Sequence, residues 1–193
     1  MRVERIESMR RALDTLYSAA LWASALCLVA IAAMVGAQLA GRIVDGTLAL
    51  VGLPRTDFVV LSLAEICGYL LGAASFLALA GTLKAGAHIR VTMALGALNE
   101  RPRRFAEIWA FALALAAAIY MTWHLASFAW YSYQFGDVSS GVIRVPLWVP
   151  QAAMTLGAAI LTIALADELV RVIRLGRPSF RAAEEAVTLG KEA

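Results

Sequence analysis

The stretch FVVLSLAEICGYLLGAASFLALAGTL, residues 58–83, runs for 26 residues with a single charge, Glu65. Wound as a helix it is about 39 Å long, enough to cross the ~30 Å hydrocarbon core of a bilayer. Three further runs have the same character: Leu16–Ala40, Phe105–Trp130 and Leu147–Ala166. Lipid cannot satisfy stray backbone amides, so a spanning chain is either helical or a closed barrel. None of the four runs alternates with period two, which excludes the barrel. Composition agrees. Hydrophobic residues make up 61% of the 193, where a soluble domain has about 45–50%, and the mean hydropathy is +0.73. The expected fold class is an all-α integral membrane protein with four transmembrane helices.

The connections between these runs, 41–57, 84–104 and 131–146, are too short for a folded soluble domain. Residues 1–175 therefore read as one membrane domain, followed by a polar tail at 176–193. The first run starts too far in for a signal peptide, and Glu4, Glu7 and Asp14 dilute the basic region before it. A retained first span is expected.

Basic residues fall unevenly. Fourteen of the 17 Lys and Arg lie in the N-terminal segment, in the connection 84–104 or after the fourth run. Only Arg42, Arg55 and Arg144 remain for the other side. The positive-inside rule then puts both termini and residues 84–104 in the cytoplasm. The net charge of +3 is accordingly topological and does not point to nucleic acid. Cys27 and Cys67 lie inside runs and read as small apolar filler, since two buried cysteines make neither a disulfide framework nor a zinc site.

Residues 1–15 carry a heptad-like series (Val3, Ile6, Met9, Leu13) and read as an amphipathic approach along the inner interface. The first outer connection, GRIVDGTLALVGLPRTD, holds Gly46, Gly52 and Pro54 and reads as turn-rich. Trp123, Trp130, Tyr131, Tyr133 and Trp148 gather where the third and fourth runs meet the outer interface, the place of an aromatic belt. Between them, YQFGDVSSGVIRVP is the more polar outer connection. There is no internal repeat, and no run is broken by an internal proline. A transporter with its own midplane site is built from inverted repeats and broken helices.

Glu65 is the one acid well inside a run, and an intramembrane charge is a functional candidate by default. It also heads a row, Glu65, Gly68, Gly72 and Ser75, on one helix face, the small-residue spacing of helix–helix contacts in membranes. Glu65 therefore reads as a group that bonds across such a contact, couples to a partner or carries a proton. His88 and His124 fall at opposite membrane faces, which excludes haem held between them. No HExxH, CxxC pair or phosphate loop occurs. Ser127, His124 and Asp137 carry the letters of a catalytic triad and nothing more. Asp167 and Glu168 precede Arg171 by four and three residues, the spacing of an ordinary helical ion pair.

Residues 84–104 are the unusual element. Read as a helix, they form two apolar stripes: Val91, Leu95 and Leu98 in one, Ile89, Met93 and Ala97 in the other. One stripe suffices for a helix lying on lipid. Two point to an interfacial arm wedged between headgroups and protein, with Lys84 toward the headgroups and His88 and Arg90 toward a junction. Arg103 and Arg104 read as lipid and topology residues.

The order of these features resembles one family. An acid-bearing second run leads into AGAHIRVTMALGAL, with Gly86, His88, Ile89, Arg90 and Val91 in sequence, and Gly136, Ser139 and VPLWVPQAAMTLGAAIL follow. This is similar to the small membrane subunits of tripartite ATP-independent periplasmic (TRAP) transporters, over roughly residues 15–175. Two positions depart from the family pattern: Thr92 stands where an Asp is usual, and Thr155 where a Pro often precedes the leucine-glycine pair. The resemblance implies a non-enzymatic subunit, without cofactor, of a sodium-coupled importer of organic acids in the bacterial inner membrane. It implies two protein partners, a large polytopic subunit holding the substrate and sodium sites and a periplasmic solute-binding protein. Expected partner-contact residues are Glu65, Gly68, Gly72, His88, Arg90, Ser139 and Trp148. Two rival readings stay open: a self-sufficient four-helix exchanger, dimeric and working through Glu65, and an anchor subunit of a respiratory complex.

Overall fold

A computed structural model describes residues 2–85 and 100–175. They form four helices: α1 (Arg2–Leu50), α2 (Leu63–Lys84), α3 (Glu100–Phe135) and α4 (Trp148–Leu175). Among the described residues the sole extended pairing is an isolated antiparallel bridge, Val138 to Pro146. Three helical stretches are long and apolar enough to cross a membrane: Arg10–Leu50, Leu63–Lys84 and Pro102–Phe135. The fourth helix has 28 residues.

Three helices outrun the expected spans, α1 most of all, whereas α2 starts at Leu63, five residues after the expected Phe58. At 49 residues, α1 is about 74 Å long. The expected outer turn after Ala40 is helical as far as Leu50, because no proline interrupts it before Pro54 and a single Gly46 costs a helix only about 1 kcal/mol. The helix stops where the backbone turns left-handed, at Gly52 (φ 76°). There the Leu53 N–H donates to the Leu48 carbonyl at 2.9 Å and the Gly52 N–H to the Ala49 carbonyl at 3.3 Å, the paired bonds of a Schellman closure. The same closure ends α3 at Gly136 (φ 64°), with Asp137 N–H on the Ser132 carbonyl at 3.0 Å. Glycine adopts this conformation without a Cβ clash. At the other end of α1, residues expected to lie apart along the interface are continuous with the helix from Arg2.

After Gly52 the chain turns back along α1. Asp45 Oδ1 accepts from the Thr56 N–H at 2.7 Å and from its hydroxyl at 2.6 Å, and Gln38 Oε1 accepts from the Val60 N–H at 2.6 Å. Phe58 covers Gly41 between them. The outer part of α1 is thus a post that carries the return of the chain to the start of α2.

Packing sets the helices in a row. α1 packs on α2, α2 on α4 and α4 on α3, while α1 touches α4 only lightly. Small or hydroxylated residues make each crossing. Ser24 Oγ donates to the Ala74 carbonyl at 2.8 Å between α1 and α2, and Gly81 lies against the Leu21 side chain. Gly157 of α4 sits on the backbone of Phe76 in α2. Thr122 and Thr162 hydroxyls meet at 3.0 Å between α3 and α4. Association in lipid depends on such close approach rather than on the hydrophobic effect. The core, including Tyr17, Leu77, Leu83, Phe111, Leu165 and Val172, lies toward the end of the row where α2 finishes. Large apolar side chains such as Trp22, Leu113 and Trp123 are exposed, which suits a hydrocarbon or protein neighbour and not water.

Candidate functional site

Polar side chains concentrate at the two ends of the row. At one end, Lys84, the last residue of α2, has Nζ 2.7 Å from Asp14 Oδ1 of α1 and 3.9 Å from Asp167 Oδ2 of α4. The same ammonium stands 4.7 Å above the Tyr17 ring. One cation therefore ties three helices, where the sequence had pointed it toward headgroups. Asp167 faces across to Lys84 rather than along its own helix to Arg171. Glu168 beside it is fully buried.

Arg103 and Arg104, expected to face lipid, are engaged with protein. Arg103 Nε donates to Glu107 Oε1 at 3.3 Å, and Arg104 Nη2 donates to the Ile173 carbonyl at 2.7 Å near the end of α4. The basic ends of α2, α3 and α4 and the start of α1 thus share one end of the row. His88, Arg90, Thr92 and the rest of the expected arm between Ala85 and Glu100 lie outside the described residues, as does the tail from 176.

At the opposite end, Glu65 lies in the first turn of α2. Its Oε1 accepts from the Tyr69 hydroxyl at 2.9 Å, one turn further along the helix. Its Oε2 is enclosed and has no hydrogen-bond partner among the described residues. What encloses it is the α3–α4 connection: a Cβ on Gly141 would run into the carboxylate. Ser62 Oγ, just before the helix, accepts from the Ile143 N–H at 3.0 Å. The connection is itself pinned by Ser139. Its hydroxyl donates to the Ile143 carbonyl and accepts from the Val145 N–H, both at 3.1 Å, and its N–H donates to the Val145 carbonyl at 2.9 Å.

The expected row on α2 is thereby divided. Glu65 meets the connection of its own chain, Gly72 meets Met154 of α4, and a Cβ on Gly68 would have nothing within 4 Å. Ser75 is exposed and bonds back to the Leu71 carbonyl at 2.8 Å. Trp148 opens α4 and packs edge-on to Tyr133 at 5.7 Å. Below this pair an apolar slot of about 540 Å³ runs between α3 and α4, floored by Ala126, Ala129, Ala152 and Ala159. His124 lies tilted against the Tyr120 ring with centroids 4.2 Å apart, and the Ser127 hydroxyl donates to the Trp123 carbonyl at 2.9 Å, so neither is set as a nucleophile with its base. Among the described residues no group of three His, Cys, Asp or Glu could hold a metal ion.

Sequence reasoning missed Ser62, Tyr69 and Gly141. Tyr69 carried a usable signal, lying four residues after Glu65 on the same face. Ser62 and Gly141 did not, because their roles depend on which connection folds over α2.

An open row of long apolar helices, fastened by polar groups at its ends, is a multi-pass membrane framework. A family model described as the DctQ component of the tripartite ATP-independent periplasmic transporters matches residues 56–175. That is more than half of the chain, and the chain belongs to this family: it is a small TRAP transporter subunit. The family is one of transporter components, not of enzymes, and its membership implies a large membrane subunit and a binding protein as associates. No curated protein and no solved structure matches the chain.

Proposed function

We propose that this chain is the small transmembrane subunit of a sodium-coupled importer of organic acids. It packs against and braces the large transport subunit, and its outer connections help dock the periplasmic binding protein. In this reading all four helices cross the bacterial inner membrane, α4 included, and both termini are cytoplasmic. The observation that supports it most is the row itself. Helices in a row offer two broad apolar faces to a large neighbour, whereas a carrier of its own needs a polar path between helices. The rival exchanger would use Glu65, but that carboxylate is occupied by Tyr69 and covered by the connection at Gly141.

Reconstitution tests this. Liposomes holding this chain alone are expected to show no organic-acid uptake above empty liposomes. Uptake dependent on a sodium gradient is expected once the large subunit and the binding protein are added. Uptake by the chain alone would replace the framework reading with the exchanger.

The orientation is tested separately. In a chain lacking Cys27 and Cys67, Val142→Cys is expected to react with an impermeant maleimide in intact spheroplasts, and Ser179→Cys only after lysis. Val142 is 75% exposed, so slow labelling cannot be blamed on burial. The opposite pattern would invert the topology.

A further inference from the structure

The connection between α3 and α4 is continuous in sequence with those two helices, yet its contacts run to α2. Ile143 N–H donates to Ser62 Oγ at 3.0 Å. Gly141 lies on the Glu65 carboxylate so closely that no Cβ fits between them. The Tyr69 hydroxyl holds that carboxylate at 2.9 Å. Ser139 in turn fixes both arms of the connection through Ile143 and Val145. Two side chains at the start of α2, Ser62 and Glu65, therefore grip a segment that begins more than 70 residues away, and Tyr69 holds the second of them.

We infer that Ser62, Glu65 and Tyr69 are positioning residues for the outer connection, which moves as one piece with α2. The carboxylate acts as a shaped rest for Gly141, with Tyr69 setting its rotamer. The Ser62 hydroxyl supplies the matching acceptor for the Ile143 N–H. The exposed tip, Val142 to Arg144, is thus carried by α2 and not by the helices that flank it in sequence. A displacement imposed at the tip passes first to α2 and then to α1 and α4, the two helices packed on it. The bearing on transport rests on the proposed docking role of this connection; the grip itself does not.

Hydrogen–deuterium exchange on the purified full chain tests the grip at the Ile143 and Val145 amides. Glu65→Ala and Gly141→Ala are each expected to speed exchange there by at least tenfold, with Leu77–Gly81 in α2 unchanged. Glu65→Gln keeps the shape and an acceptor for Tyr69, and is expected to stay within threefold of the parent chain. Wild-type exchange in both alanine variants would overturn the inference. So would a Glu65→Gln chain as fast as Glu65→Ala, because then shape is not what positions the loop. A second measurement does not depend on those variants folding. Ser62→Cys with Ile143→Cys, in a chain lacking Cys27 and Cys67, is expected to form a disulfide on mild oxidation in most molecules, and its absence would equally overturn the grip. Affinity for the binding protein, measured on the complex with the large subunit, separates the two readings. Faster exchange with unchanged affinity leaves the grip standing and removes the docking role.

Discussion

Gly157→Val is expected to cut the yield of monodisperse subunit in mild detergent by at least tenfold. A Cβ at this position would lie 2.5 Å from the Phe76 carbonyl carbon, 2.7 Å from its oxygen and 2.8 Å from the Leu77 nitrogen. These are backbone atoms inside a helix, which cannot swing aside as a side-chain tip can. Relief requires α2 and α4 to separate, and their contact joins the two halves of the row. Inserted bulk in a packed interior costs about 1–3 kcal/mol even where side chains can adjust, and valine adds two further carbons to the clash. Gly72→Ala on the opposing helix is the control. Its Cβ would rest 3.5 Å from Met154 Sδ, an ordinary contact, and the yield is expected to match the parent chain. Size-exclusion profiles of the two variants decide the matter, and equal yields would show that the helices do not cross at Gly157.

Gly68→Ala extends this comparison to the partner. A Cβ there meets nothing, so the isolated subunit is expected to be unaffected. If the open face of α2 receives the large subunit, the same change reduces co-purification of the two; undiminished recovery would place the partner elsewhere.

Lys84→Glu is expected to have an effect of comparable size. In the parent chain one ammonium stands between Asp14 and Asp167, over the Tyr17 ring. Reversing its sign places a carboxylate against two others, with the buried Glu168 adjacent in sequence to one of them. It also sets a negative charge at the C-terminus of α2, where the helix dipole favours a positive one by about 0.3–1 kcal/mol. Lys84 and Asp167 are about a quarter and a third exposed, and Asp14 about two-thirds. Solvent therefore screens part of the repulsion, but not enough to hold three helix ends together. A charge swap, Lys84→Glu with Asp14→Lys, is expected to restore part of the lost thermal stability, because the shorter of the two ion pairs is rebuilt. Lys84→Met is expected to fall between the parent chain and Lys84→Glu. Thermal unfolding of the four chains in one detergent is the measurement. If Lys84→Glu melts with the parent, the ion pairs do not join the helices.

Much of this arrangement could be read from residue order alone. The apolar runs at Leu16–Ala40, Phe58–Leu83 and Phe105–Trp130 lie within α1, the α2 region and α3, because membrane length and hydropathy act locally along the chain. The ends rich in Lys and Arg were legible in residue order for the same reason. The outer half of α1 was not. Asp45, Gly46 and Thr47 carry turn chemistry, and the sequence does not announce that Asp45 would spend its carboxylate on Thr56 while the helix continued. Nor could order reveal what Lys84 binds, since Asp14 is 70 positions away. Several glycines share small-residue spacing, but only the fold shows that Gly157 meets backbone, Gly72 a flexible thioether and Gly68 open space. Glu65 stands out in the sequence as the one acid well inside an apolar run. Its neighbour is an outer connection of its own chain, which pattern along α2 cannot disclose.

The order of the row also fixes an order in time. α1 and α2 are neighbours in both sequence and space, so they can pair as soon as Lys84 has been made. α3 comes next from the ribosome but has no extensive contact with either of them; its place is against α4. At translation rates of about 5–20 residues per second, the 40 residues from Phe135 to Leu175 take roughly 2–8 s to appear. For that interval α3 stands in the membrane beside a finished hairpin it does not join, its Thr122 without Thr162. In the proposed four-span topology α4 then enters between them as a wedge, and its packing on both α2 and α3 turns two separate pieces into one subunit.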